Sequence, residues 1–294
     1  MAIYFKGPSD LIVSYIDKSN TDFILKMIKG KFRYNVGGLW IDRTYETMEL
    51  INPPDEALIL KDTNMIDRIS ENQNGFLIKK FISSERMDFI ESEVLKFLSE
   101  AFETRLDKSN IDQTLLAMSD EEFHERMKKI YLGIALENLA IGFEEFITWV
   151  SDAVKREVKM QNAYDYPSLL IRIVRPNRPD YNPPHRDIYL DHLRNGLNGF
   201  MPVLGVNRES SLSLIPGSHL WSEQETIRTT PNSLIDGIKF SVPAVISLKD
   251  GQSLNLMRPV VERGEIMLFS PYLIHGGAAN VSNRVRVSFE FRFW

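Results

Sequence analysis

The chain contains no cysteine. A disulfide framework, a thiolate metal site and a cysteine nucleophile are therefore excluded. Long apolar runs are also missing: nothing approaches the roughly 18 consecutive apolar residues of a membrane helix. The opening Met1-Ala2-Ile3-Tyr4-Phe5-Lys6 has neither the apolar length nor the cleavage pattern of a signal peptide. A cytoplasmic location without a membrane partner is the expectation. Positive charge is not in excess, with 35 Lys and Arg against 40 Asp and Glu. Nucleic-acid-binding surfaces are usually basic, so no nucleic-acid partner is expected. The densest basic stretch, Lys155-Arg156-Glu157-Val158-Lys159, is interrupted by an acid and reads as a solvated helix face. Internal repeats and low-complexity tracts are absent. No Gly-x-Ser-x-Gly occurs, which removes the nucleophile elbow of a serine hydrolase. Histidine is scarce, with only five in 294 residues.

What is present divides by texture. Residues 1–73 hold short apolar runs such as Leu11-Ile12-Val13 and Ala57-Leu58-Ile59-Leu60, broken by Asn52-Pro53-Pro54 and polar clusters. They read as short strands and loops, forming an N-terminal cap or an extension of the main sheet, and no histidine among them suggests catalysis. The principal domain is read as residues 74–294. Its helical part, about 83–160, opens at Ser83-Ser84, and Met87, Ile90, Val94, Leu98 and Phe102 recur at helical spacing. Ser119 and Glu122 form a capping box for a further helix. The helical pattern runs to about Lys159, with a break near Gly133 or Gly142. From about 165 to 294, short strand-like runs (169–174, 211–215, 238–248, 265–269 and 285–293) alternate with Gly, Pro, Asn and Ser turns. That rhythm indicates a sandwich or barrel. The fold class is mainly β with a helical layer packed on it.

The chemistry concentrates in the β part. His185 follows Asn182-Pro183-Pro184 and precedes Arg186-Asp187. Prolines favour an extended approach, and residues two apart on an extended segment share a side. His185 and Asp187 therefore present an imidazole and a carboxylate to one point. His-x-Asp is a short motif that chance produces readily. It gains weight from His275, which follows the strand-like Glu265–Phe269 in Pro271-Tyr-Leu-Ile-His-Gly-Gly277. Two histidines and one carboxylate make a ligand triad that leaves positions open on ferrous iron. Arg286-Val287-Ser288 comes next, and on a strand Arg286 and Ser288 share a face. A guanidinium fork beside a hydroxyl suits a carboxylate. Arg284, two residues earlier, is a second candidate for that task. Arg172 and Tyr189 are candidate pocket residues. His219, in Pro216-Gly-Ser-His219, reads as a loop-fixing residue, His124 as a surface residue, and His192 as undecided.

The order His-x-Asp, His, Arg-x-Ser resembles the Fe(II)/2-oxoglutarate oxygenases, in particular the phytanoyl-CoA dioxygenase-like family. The resemblance is carried by PPHRDIYL, by SLSLIPGSHLWSE and by GEIMLFSPYLIHGGAANVSNRVRVSFEFRF, and more faintly by NGFLIKKFISSERMDFIESEV. It implies a double-stranded β-helix, or jelly roll, packed against helices. It implies Fe(II) held by His185, Asp187 and His275, with O2 and 2-oxoglutarate as cosubstrates. It implies Arg286, supported by Ser288, as the grip on the 5-carboxylate of 2-oxoglutarate, with succinate and CO2 as coproducts. Halogenating relatives carry a small residue in place of the carboxylate, so Asp187 argues against halogenation; hydroxylation is the usual outcome, with desaturation, ring formation and epimerisation open. A small-molecule substrate is implied, and the acidic net charge favours a small polar metabolite over a CoA-linked one. The competing reading is a non-catalytic jelly roll that binds a metal or ligand without turnover.

Overall fold

The structure, a computed structural model, describes residues 27–52, 74–160, 167–190 and 193–294. The runs Leu11–Val13 and Ala57–Leu60 and His192 lie outside the described residues. Strands β1 (Ile28–Val36) and β2 (Leu39–Thr47) form an antiparallel hairpin. Its turn is Gly37-Gly38, both at positive φ (59° and 98°), as a two-residue hairpin turn requires. β3 (Leu50–Ile51) and β4 (Phe76–Lys80) follow, then helices α1 (Ser84–Phe102), α2 (Ile111–Ala117) and α3 (Asp120–Lys129), strand β5 (Ile134–Ala135) and helix α4 (Phe143–Val154). The remaining strands are β6 (Ser168–Val174), β7 (Leu197–Leu204), β8 (Thr226–Thr229), β9 (Ser233–Ile235), β10 (Ile238–Phe240), β11 (Val245–Leu248), β12 (Leu254–Leu256), β13 (Glu265–Phe269) and β14 (Arg286–Phe293).

Six strands, in the order β4-β13-β7-β14-β6-β5, make the first layer. Alternation decides what each of its faces meets. In β14, Val287, Phe289, Phe291 and Phe293 turn toward the helices and join one apolar cluster with Met87, Ile90, Val94, Leu98 and Phe102 of α1. Burying one such side chain stabilises by about 1.5–3 kcal/mol, so this face fixes the helical layer. The apolar stripe of α1 is fully used, and Ser83 caps it by accepting from the Arg86 N–H. Ser119 likewise accepts from the Glu122 N–H at the start of α3.

The second layer contains the sheets β10-β9-β2-β1-β12 and β11-β8-β3. Isolated bridges join them. Val245 N–H donates to Pro184 O, His185 pairs with His275, His275 with Leu214, and Leu214 with Met257 just past β12. The β1–β2 hairpin is thus built into the jelly roll through β9 and β12. The strand-like run 211–215 supplies only the two bridges at Leu214.

Arg175, one residue past β6, ties the helices to the sheet. Its side chain is fully buried and stacks 3.9 Å above the Phe123 ring. It donates to both oxygens of Asp180 at 2.8 and 2.9 Å and to Asp120 at 2.8 Å. Asp180 is itself only 2% exposed. Arg175→Met is expected to destabilise the protein by roughly 3–5 kcal/mol, because a buried carboxylate loses its cation. Urea melts should show that loss, and Arg175→Met with Asp180→Asn should recover part of it.

Candidate active site

His185 and His275 sit opposite each other in an antiparallel bridge, exchanging N–H to O bonds of 2.9 and 3.0 Å. This pairing brings their rings to a centroid separation of 4.4 Å. Each ring is fixed the same way. His185 Nδ1 lies 2.8 Å from Pro183 O, and His275 Nδ1 lies 2.9 Å from Leu273 O. A carbonyl two residues back can only accept, so Nδ1 carries a proton and Nε2 is the nitrogen turned to the cluster. Such a backbone partner on the far nitrogen is the usual support for a metal-bound imidazole.

Asp187 completes the cluster. Its Oδ1 lies 3.2 Å from His185 Nε2 and 3.6 Å from His275 Nε2. All three residues are buried, and their ligand atoms lie within 4.8 Å of one another. Adjacent ligands of an octahedral ion with bonds near 2.1 Å stand about 3 Å apart, so the donor set fits a divalent transition metal. Burial disfavours charge on Asp187, but His275, Arg292 and His185 outweigh it and hold the carboxyl well below its usual range. His275 is pushed down to about 4 by burial and by His185, so it is a neutral imidazole at pH 7, with a lone pair that a metal could take.

The backbone around the triad depends on two glycines. Gly276 has φ 97°, and a Cβ there would stand 2.6 Å from Pro183 O and 3.0 Å from His185 Nδ1. Gly277 has φ 66°, and a Cβ would stand 2.7 Å from the Tyr34 ring. Tyr34 belongs to β1, in the segment expected to lack catalytic residues; it packs behind the His275 loop and is fully buried.

The far oxygen of Asp187 is occupied too. Asn198 of β7 donates to Oδ2 at 2.9 Å, and Arg292 of β14 donates to it at 3.3 Å. Neither residue was foreseen. Arg292 left a trace in the sequence, since Arg286, Ser288, Glu290 and Arg292 are polar at every second position of an otherwise apolar strand. Asn198 left none. Removing outer-shell partners of a metal ligand typically costs ~10–100-fold in affinity. Asn198→Ala is expected to weaken metal binding within that range, measured by competition against a chelating dye, with little change in the apo fold.

One pocket holds the triad and also Arg286. Arg286 is buried, donates 2.9 Å from Nη1 to Ser210 O, and has no partner at Nε. Ser288 Oγ beside it on the strand is buried and unpartnered as well. Burial pulls the Arg286 guanidinium down to about 9, which leaves it charged at neutral pH. Unpaired buried donors of this kind are costly unless a ligand supplies the acceptor.

Several expectations need correction. Arg284 precedes β14 rather than lying on it, so the shared-face argument does not reach it. Its exposed side chain pairs with Asp112 of α2, away from the pocket. Tyr189 is turned aside, donating at 2.8 Å to Glu223 beneath the Arg228 guanidinium. His124 is not a simple surface residue; it is half-buried and lines an adjoining cavity. Arg172 lines both cavities. His219 is buried in the turn at Ser218–Leu220, close against Gly75.

Residues 72–288 match the family described as phytanoyl-CoA dioxygenase (PhyH). The chain belongs to the phytanoyl-CoA dioxygenase family. It is accordingly an oxidoreductase of the Fe(II)- and 2-oxoglutarate-dependent kind, and the His-Asp-His cluster suits Fe(II). No curated protein matches the chain. Among solved structures, AviO1 from Streptomyces viridochromogenes Tue57 is similar at 13% identity, covering 80% of this chain and 96% of that one, with a TM-score of 0.43. EctD from S. alaskensis with 2-oxoglutarate and 5-hydroxyectoine is similar at 14% identity, covering 82% and 78%, with a TM-score of 0.43. SnoN, the non-heme alpha ketoglutarate dependent epimerase from nogalamycin biosynthesis, is similar at 12% identity over 78% and 80%, TM-score 0.37. These likenesses are distant; membership of the phytanoyl-CoA dioxygenase family rests on the family match. Among the described residues, no helix is long and apolar enough to cross a membrane.

Proposed function

We propose that this member of the family hydroxylates a small-molecule metabolite, with His185, Asp187 and His275 as the Fe(II) ligands and Arg286 with Ser288 as the seat of the 2-oxoglutarate 5-carboxylate. When bound, Fe(II) supplies the power to oxidise an unactivated C–H bond with O2, while 2-oxoglutarate is converted to succinate and CO2. One observation supports this reading above others: the Nε2 atoms and the Asp187 carboxylate share a pocket with the Arg286 guanidinium, whose Nε lacks a partner, as does the buried Ser288 hydroxyl two residues along the same strand. A chelating dicarboxylate would satisfy both ends.

The chain's own contribution is placement. The His185–His275 bridge holds two ligands at fixed separation, and Asn198 and Arg292 stop the Asp187 carboxylate from rotating. Leu212, Phe269 and Phe291 line the same pocket and keep it partly dry, which strengthens every charged contact in it. Such orientation and shielding are what the protein adds to cofactor chemistry.

The test is anaerobic. Fe(II) and 2-oxoglutarate added to the apo protein should produce a visible charge-transfer band, and admitting air should release succinate. Metal binding with no band and no succinate would favour a non-catalytic metal-binding jelly roll.

A further inference from the structure

The pocket that holds the triad adjoins a second, outer cavity. Four residues line both: Arg172, Tyr181, Asn182 and Glu290. Beyond them the outer cavity has Phe123, Met127, Ile130 and Phe240 in its wall, beside His124 and Asp180. If Arg286 takes 2-oxoglutarate, the outer cavity is left for a substrate, with the shared residues between it and the triad. At that passage Arg172 and Glu290 form a two-point ion pair, Nε to Oε1 and Nη2 to Oε2, both 3.2 Å. They are diagonal neighbours on the antiparallel strands β6 and β14, on the face turned away from the helices.

We propose that the Arg172–Glu290 pair selects a zwitterionic head group, its ammonium against Glu290 and its carboxylate against Arg172, with an apolar body among Phe123, Met127, Ile130 and Phe240. This rests on the Fe(II)/2-oxoglutarate reading and deepens it to a substrate class. The pair is not needed to hold the strands together, because the β6–β14 backbone register runs unbroken from Arg286 to Glu290. Its contacts are longer than the 2.7–2.9 Å of a tight charge-assisted bond, and the two side chains keep 31% and 26% exposure toward the cavities. Glu290 is ionised. Burial opposes its charge, but Arg172, Arg292 and Arg286 overcome this and lower the carboxyl to about 2.

Exchange of partners then decides what fits. A zwitterion can open the pair and leave both charges matched. A ligand with a single charge breaks the two-point pair and returns only one charged contact in a partly dry passage, which is penalised. A neutral ligand gains only weaker, uncharged hydrogen bonds.

Three probes with nearly the same branched apolar body separate these cases: L-leucine, 3-methylbutylamine and 4-methylpentanoate. Each is titrated by calorimetry at pH 7 into the anaerobic protein loaded with Fe(II) and 2-oxoglutarate. L-Leucine should bind at least tenfold more tightly than either singly charged probe. Glu290→Gln should shift the preference to 4-methylpentanoate, and Arg172→Gln should shift it to 3-methylbutylamine. A merely structural pair would weaken all three probes alike. Equal affinities in the unmodified protein, no binding of any probe, or a uniform loss in both variants would overturn the proposal. The ranking in the unmodified protein decides the matter even where a variant fails to fold. Failure of the charge-transfer band to form before any probe is added overturns the iron reading instead; an intact band with no charge preference overturns only the substrate class.

Discussion

Asp187→Ala will leave a folded protein that retains no iron and turns over no 2-oxoglutarate. The carboxylate supplies the only negative charge among the three ligands, and its Oδ1 faces both Nε2 atoms. Two imidazoles remain after the substitution, together with Arg292, whose charge then repels a cation from the vacated space. The loss of Fe(II) affinity should exceed the ~10–100-fold expected for an outer-shell change such as Asn198→Ala. Stability gives a second readout. A ligand that binds the native state at 100 times its Kd stabilises it by about 2.7 kcal/mol. The melting temperature of the unmodified protein should therefore rise with added Fe(II) under nitrogen, and that of Asp187→Ala should not. The apo form of Asp187→Ala should melt lower, because Asn198 and Arg292 lose their acceptor, so the iron-dependent rise is read within each protein. Retained iron with full succinate release in Asp187→Ala would remove Asp187 from the ligand set.

The site was more legible than the fold around it, and the reason is locality. His185 and Asp187 are two residues apart on an extended segment, and Arg286 and Ser288 are two apart on β14. Period-two parity is local information, so the sequence carried it. The same parity misled at Arg284, because it holds only where the chain is a strand, and β14 pairing begins at Arg286. Before it, Asn280 and Ser282 bond the Arg284 carbonyl and bend the chain outward. Among the elements, the run 265–269 coincides with β13, since both its faces are packed. The run 238–248 divides into β10 and β11 around Pro243, which cannot donate to a ladder. The helical pattern read to Lys159 stops at Val154, where Lys155 takes a left-handed cap. The break expected near Gly133 or Gly142 runs from Lys129 to Phe143, and what periodicity could not show is that β5 there pairs with β6. Non-local facts were the ones hidden. That Asn198 would reach Asp187, or that the β1–β2 hairpin would put Tyr34 behind Gly277, depends on strand order across the whole chain.

Arg286→Ala is expected to raise the 2-oxoglutarate requirement by two or more orders of magnitude while iron binding survives. The guanidinium is buried, keeps its charge at neutral pH, and spends only one hydrogen bond on the protein, at Ser210 O. A dicarboxylate chelated at the triad would bring its second carboxylate to the unpartnered Nε of Arg286 and the hydroxyl of Ser288. Removing one member of such a buried, charge-assisted pair costs roughly 3–5 kcal/mol, which at ~1.4 kcal/mol per tenfold is two to three and a half decades. No iron ligand is lost, so metal content should stay at the unmodified level. Arg286→Lys should recover only part of the affinity, because an ammonium lacks the planar fork. Ser288→Ala, which removes one neutral donor, should cost about tenfold or less. The measurement is the charge-transfer band titrated with 2-oxoglutarate in the anaerobic Fe(II) protein. Arg284→Ala serves as the comparison, since its side chain is tied to Asp112 on the surface and should leave the titration unchanged. A large loss in Arg284→Ala with none in Arg286→Ala would transfer the role. No loss in either would separate 2-oxoglutarate from this end of the pocket.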